Sequence, residues 1–103
     1  MPKPKADGVV ETVRYTEDGK IALVRLYERH GATWSDVVLI DRPELIRRLR
    51  QGRRIFAGRR KPYLGGVFET GARLVWLEQD GRQAVVTEGQ TGERDWLAGV
   101  PIF

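Results

Sequence analysis

The middle of the chain carries a helix signal with a clear start and a clear stop, set between two strand-like segments. Residues 34–40 (WSDVVLI) are rich in β-branched and aromatic side chains, which is typical of a buried strand. Asp41 stands where a helix N-cap belongs, and Glu44 follows it at capping-box spacing. Gly52 stands where a C′ glycine closes a helix, and residues 53–58 (RRIFAG) resume an extended pattern. The stretch predicts a strand, a helix of about two and a half turns and a second strand.

The remaining strands are predicted from alternating apolar residues that are bounded by turn residues. Asp-Gly pairs at 18–19 and 80–81 are hairpin signals, and Gly71 inside a strand pattern indicates a bulge or a sharp bend. In the first strand, alternation sets Val9 and Val13 on one face and Val10 on the other. The predicted strands outside the central stretch cover residues 8–15, 20–28, 67–77 and 82–87.

The 103 residues are enough for one domain with a modest core, and no internal repeat indicates a second one. We expect a disordered basic lead-in at residues 1–7, a folded domain at 8–88, and a tail with an apolar tip at 89–103. Three strands, a helix and then further strands is the order of elements in the OB-fold.

The predicted fold class is therefore all-β, mainly β with one short helix. It would be an OB-fold, a Greek-key barrel of five to six strands with the helix between strands three and four. An SH3-like barrel is the alternative, although it does not normally carry a full helix at that point.

Composition excludes several classes of function. The chain has no cysteine, which excludes disulfides, thiolate chemistry and cysteine-based metal sites. The single histidine, His30, has no second histidine to share a metal with, and no dinucleotide-binding or Walker-type glycine motif occurs. We therefore expect no enzyme activity, no metal and no cofactor. No apolar run reaches the length of a membrane span and the N-terminus lacks a secretory apolar region, so we expect a cytoplasmic protein without a membrane partner.

Charge is distributed unevenly along the chain. Between Leu45 and Phe68 there are eight basic residues and no acidic one, whereas the other 79 residues hold ten basic and fourteen acidic residues. The net charge of +4 is therefore an average over a polarised molecule. Cations held close together attract a polyanion and release its counterions, so this window indicates nucleic-acid binding. A solvated, arginine-rich helix face that serves solubility is the alternative.

Three segments follow one another through the first two thirds of the chain: RYTEDGKIALVRL at 14–26, WSDVVLI at 34–40 and PELIRRLRQGRRIFAGRR at 43–60. Together they resemble bacterial single-stranded DNA-binding proteins, the SSB family built on the OB-fold. Trp34 matches the tryptophan of that family's third strand, whereas the base-stacking phenylalanine at the end of that strand is Ile40 here. The resemblance implies binding of single-stranded DNA or RNA, most of all ssDNA, with low sequence specificity, and assembly as a homo-oligomer.

Sequence-tolerant binding of a single strand needs cations for the phosphates and aromatic faces for the bases. Trp34 opens the third strand, and Tyr63 lies in the loop after the fourth. Phe56 alternates with Ile55 and Ala57, so it faces outward between cations if those two residues are in the core; the alternative for each aromatic is core packing. The candidate nucleic-acid-binding residues are Trp34, Arg47, Arg48, Arg53, Arg54, Phe56, Arg59, Arg60, Lys61 and Tyr63.

A protein-interaction module is the alternative function. The basic face would then dock an acidic partner, or the apolar tip at 97–103 would serve as a peptide ligand for another protein. Whether the last four residues, Val100–Phe103, are such a ligand or pack on the barrel stays open from the sequence. Exposed aromatics discriminate the two functions, because a docking face needs only the cations.

Overall fold

The computed structural model describes residues 6–31, 33–60, 68–90 and 94–103. Strand is the main structure of these residues, and a single short helix occurs among them. The prediction of a mainly β chain with one short helix is confirmed for the described part. The elements are β1 (Gly8–Tyr15), β2 (Ile21–His30), β3 (Thr33–Trp34), β4 (Val38–Asp41), α1 (Arg42–Arg50), β5 (Ile55–Arg60), β6 (Phe68–Gln79) and β7 (Arg82–Thr87).

Both ends of α1 lie where the sequence predicts them. Asp41 is extended (φ −88°, ψ 176°), and its carboxylate accepts a hydrogen bond from the Glu44 backbone N–H at 3.1 Å. At the other end, Gly52 has φ 84° and donates its N–H to the Leu49 carbonyl, while the next N–H donates to the Arg48 carbonyl. This pair of bonds is a Schellman motif, which satisfies carbonyls that the end of a helix leaves without partners.

The strands of the described residues form one strongly curled sheet. Its order is β3-β2-β1-β5-β6-β7, and β4 pairs with β2 on the same edge as β3. Neighbouring strands are antiparallel except β1 and β5, which are parallel. Since β4 runs in the same direction as β1 and β5, α1 is a crossover between parallel strands and lies against one face of the sheet. Leu45 and Ile46 of the helix join Leu26 and Ile55 in the core on that face.

The predicted third strand is broken in the middle. Residues 35–37 separate β3 from β4, although both pair with β2, and the break adds one residue to this side of the ladder. Ser35 satisfies the neighbouring backbone, because its Oγ accepts from the Glu28 N–H at 3.0 Å and its own N–H donates to the Glu28 carbonyl at 2.8 Å. The position of the predicted third strand is confirmed, but the strand consists of two segments and is not continuous.

A second irregularity changes which valines of β1 face the core. The pairing of β1 with β2 passes over Glu11, and both Val10 and Val13 belong to the core cluster. Val9 points to the opposite face, yet it is completely buried. The prediction that Val9 and Val13 share a face was wrong, because one extra residue in a strand reverses the alternation beyond it.

Gly71 lies at a bulge, as predicted. Opposite the single residue Ala57, β6 places two residues, Gly71 and Ala72. A bulge bends its strand and raises the local twist, so the hairpin of β5 and β6 changes direction here. The two strands also approach closely at Gly58, where a Cβ would overlap the Glu69 carbonyl oxygen and touch the side chain of Val9.

The C-terminal residues 94–103 pack onto the sheet. Trp96 forms a parallel bridge with β7, and Ile102 forms one with β1, on the side where the first residues of β1 pair with β5. Leu97 and Val100 are buried in the core cluster. The apolar tip that the sequence left open therefore packs on the barrel-like sheet, although the Ile102 side chain remains exposed.

A buried carboxylate holds this segment in place. Asp95 is 3% exposed, and its two oxygens accept from the backbone N–H groups of Ile21 (2.8 Å) and Val85 (2.9 Å). Nε and Nη2 of Arg42, the first residue of α1, donate to the same carboxylate at 2.7 and 3.2 Å. Arg42 also donates to the Gln83 carbonyl. One side chain thus ties β2, β7 and the start of the helix to the C-terminal segment.

We expect Asp95→Ala to lower the free energy of unfolding by about 3–5 kcal/mol, because it leaves a partly buried Arg42 and two backbone donors without their acceptor. Chemical denaturation checks this. The exposed Asp36 supplies the control, since Asp36→Ala should change the unfolding free energy by less than about 0.5 kcal/mol. Equal midpoints for the two variants would contradict the role assigned to Asp95.

Candidate nucleic-acid interface

Three partly exposed aromatic rings meet on the face of the sheet opposite α1. The ring of Phe68 lies 4.4 Å from that of Trp34 and 5.0 Å from that of Tyr27, between centroids. On a flat sheet, β3 and β6 would be about 19 Å apart, because four strand spacings separate them. The contact therefore depends on the curl of the sheet, which folds the far end of the β5–β6 hairpin over β2 and β3.

Phe56 lies at the bottom of the same concave surface. Ile55 and Ala57 are buried in the core, so Phe56 points away from α1, and it is partly exposed. Its neighbours across the strands are Val9 of β1 and Arg73 of β6. We call the surface that carries Tyr27, Trp34, Phe56 and Phe68 the aromatic face. The outward orientation of Phe56, which the sequence left conditional on Ile55 and Ala57, is confirmed.

Three arginines share the aromatic face. Arg25 and Arg29 alternate along β2 with buried or helix-facing residues, and Arg73 stands directly opposite Phe56. None of these arginines forms an ion pair with an acid in the described part of the chain. Nε of Arg29 donates to the Gly31 carbonyl at 2.8 Å, and the Arg25 guanidinium lies over the Phe103 ring at 4.3 Å. The face therefore combines aromatic rings with uncompensated positive charge.

The helix arginines lie on the other side of the sheet and are largely compensated. Arg47 pairs with Glu44, and the partly buried Arg48 pairs with both Glu44 and Glu28. The hydrogen bond from Arg47 lowers the pKa of Glu44 and raises that of Arg47, whereas burial lowers the pKa of Arg48. The Arg50 guanidinium lies 5.2 Å from the Trp76 ring, which packs against the core.

Two further candidate arginines have acidic partners. Nε of Arg54 lies 3.3 Å from an Asp7 oxygen, and Nε of Arg59 lies 3.1 Å from Glu69. Burial alone would raise the pKa of Asp7, but the hydrogen bonds and charge of Arg54 outweigh burial, so this pKa lies below its ordinary value. Arg53 is exposed and forms no ion pair with the described residues. Among the described residues, the acid-free window is thus partly neutralised by acids from outside it, which pair with Arg47, Arg48, Arg54 and Arg59.

The predicted site residues are therefore brought together only in part. Trp34 and Phe56 share the aromatic face, while Arg47 and Arg48 lie across the sheet from them. Arg60 belongs to β5, but its side chain lies outside the described part, as do Lys61 and Tyr63.

The candidate residues predicted from the sequence do not include Phe68, Arg29 or Arg73. Arg73 belongs to the face because the strand register pairs it with Phe56. Phe68 belongs to it because the curl of the sheet brings its ring to Trp34. Side chains alternate along a strand, so the sequence itself places Tyr27 and Arg25 on one face of β2.

Comparisons with known proteins give no further assignment. No family model matches the chain, and no similarity to a curated protein or to a solved structure is found. Within the described residues, no helix is long and apolar enough to cross a membrane. No group of three or more histidine, cysteine, aspartate or glutamate side chains in that same part is arranged to hold a metal ion.

Proposed function

We propose that the protein binds single-stranded nucleic acid, most of all ssDNA, on the aromatic face. The observation that carries the proposal is the cluster of Tyr27, Trp34 and Phe68, which leaves ring surface partly exposed beside arginines without acidic partners in the described residues. Stacking of a base on an aromatic side chain is worth about 1–3 kcal/mol and tolerates any base. Such a surface suits a strand that is bound without sequence preference.

The phosphates would be bound by cations of the same face. Arg25, Arg29 and Arg73 stand within the concave surface, whereas Arg47 and Arg48 are separated from it by the sheet and are paired with acids. Lys61 and Tyr63 follow β5 in the sequence and lie outside the described residues. The ionic part of binding is thus assigned to β2 and β6 rather than to the helix.

An OB-fold of the SSB type remains a proposal that fits part of the topology. A curled sheet supports it, as does a helix that follows the predicted third strand, which is divided into β3 and β4. The parallel pairing of β1 with β5 departs from a purely antiparallel Greek key, and any such assignment has to accommodate it.

A protein-interaction module is the second candidate, and the edge of the sheet favours it. Among the described strands β4 pairs only with β2; Val38 and Leu39 are exposed on it, as is Val37 just before it. Exposed apolar edge strands are prone to pair with another chain, which would give a homo-oligomer or a docked partner. This candidate needs no base stacking, so the aromatic face discriminates the two functions.

The location of the ionic contacts is tested with two matched pairs of arginines. We expect Arg29→Ala with Arg73→Ala to weaken oligo-dT binding and to flatten the plot of log K against log salt, by roughly 0.7 for each phosphate that is no longer neutralised. The control pair, Arg47→Ala with Arg50→Ala, removes the same charge from the helix and should leave the slope unchanged. The opposite pattern would move the binding site to the helix.

Trp34→Ala tests stacking. We expect a loss of about 1–3 kcal/mol in oligo-dT affinity at an unchanged salt slope, because the substitution removes no cation. The stability loss should stay below the roughly 3–5 kcal/mol typical of a fully buried tryptophan, since Trp34 is partly exposed. Leu77→Ala, which removes an exposed apolar side chain at the other end of β6 from Phe68, serves as the control. If folded Trp34→Ala bound oligo-dT normally, docking by cations alone would be the better explanation.

A further inference from the structure

A second cluster of cations lies at the opposite end of the molecule from Tyr27 and Trp34. It lines a cleft of about 450 Å³ between the β1–β2 turn, the β6–β7 turn, the start of α1 and the C-terminal segment. Lys20 precedes β2, and Tyr27 is seven residues further along, which is about 23 Å in an extended strand. The cleft is therefore separate from the aromatic face. Its charged lining residues are Lys20, Arg42, Arg82, Arg94 and Asp95.

One of these cations is held in a fixed orientation. Arg42 donates from Nε and Nη2 to the Asp95 carboxylate and from Nη2 to the Gln83 carbonyl. The same carboxylate already accepts the backbone N–H groups of Ile21 and Val85. Each oxygen of the Asp95 carboxylate therefore already accepts two hydrogen bonds. The carboxylate orients Arg42 and has no further acceptor site for the exposed cations of the cleft.

The remaining cations are exposed and have no carboxylate partner in the described residues. Lys20, Arg82 and Arg94 are exposed, and the Arg94 guanidinium lies 5.6 Å from the Trp96 ring. Asp18 on the β1–β2 turn interacts with Lys20 through its charge, but its carboxylate is hydrogen-bonded to Thr16 and does not line the cleft. Among the described residues, the lining carries four cations and one carboxylate, a balance that favours an anion.

We propose that this cleft binds a phosphate group. Arg42 is the pre-oriented donor at its base, and Lys20, Arg82 and Arg94 close around the anion from three different segments. A phosphate is attracted by this excess of positive charge, and guanidinium groups bind its oxygens in a planar, often bidentate geometry. The phosphate could belong to a free phosphate monoester, which presents three terminal oxygens, or to the backbone of a nucleic acid, whose diester groups present two.

The test is a titration of the full ¹⁵N-labelled chain with inorganic phosphate, with chloride at equal ionic strength as the reference. We expect saturable shifts of the amide signals of Ile21, Val85 and Arg94, which lie at the Asp95 carboxylate or in the cleft. Arg82→Ala with Arg94→Ala should weaken phosphate binding at least about tenfold, because two charge-assisted contacts to the anion are removed together. Arg47→Ala with Arg50→Ala, on the exposed side of α1, should leave it unchanged.

The two sources of phosphate are separated by repeating the titration with a nucleoside monophosphate and with oligo-dT. Shifts of the same amides with the monophosphate identify a free ester as a ligand, and shifts with oligo-dT identify the nucleic-acid backbone. Shifts that rise linearly with phosphate without saturation would overturn the proposal. Equal phosphate affinity of the wild type and the Arg82/Arg94 variant would overturn it as well, and neither result bears on the aromatic face.

Discussion

The Asp95 carboxylate is the contact that joins the C-terminal segment to the sheet and to the start of α1. A buried carboxylate is costly unless it is paired and hydrogen-bonded, and here two backbone N–H groups and the Arg42 guanidinium meet that requirement. Those partners come from β2, β7 and the first turn of α1, which are far apart in the sequence. Because Asp95 lies on the C-terminal segment, the same contact also places Leu97 and Val100 in the core. The C-terminal segment is thus a structural part of the domain.

Bulges shape the aromatic face. The extra residues at Glu11 in β1 and at Gly71 in β6 bend a sheet that would otherwise be flatter. The bend brings Phe68 against Trp34 although four strand spacings lie between their strands. A surface made of side chains from both ends of a sheet is concave, and a concave surface can enclose a strand of nucleic acid rather than merely attract it.

Local signals in the sequence predicted local structure well. Asp41 and Gly52 define the ends of α1 because capping depends on neighbouring residues alone. The faces of β1 could not be predicted, since the bulge at Glu11 depends on the pairing with β2. The acid-free window begins just after Glu44 and ends just before Glu69, and both of these acids pair with its arginines. The mainly β class and the outward orientation of Phe56 were accessible from the sequence, whereas the pairs of Arg48 with Glu28 and of Arg59 with Glu69 depend on how the strands and the helix pack.

If a single strand of nucleic acid lies on the aromatic face, the three tryptophans should respond differently to it, because they report on three separate places. Trp34 belongs to that face, Trp76 lies beside Arg50 of the helix, and Trp96 lies beside Arg94 of the cationic cleft. The decisive measurement is a ¹⁹F NMR titration of the fluorotryptophan-labelled protein with short oligo-dT. We expect a saturable shift or broadening of the Trp34 signal at concentrations that leave the Trp76 signal unchanged. A response of Trp76 with an unperturbed Trp34 would contradict the proposed function, because the strand would then lie along the helix.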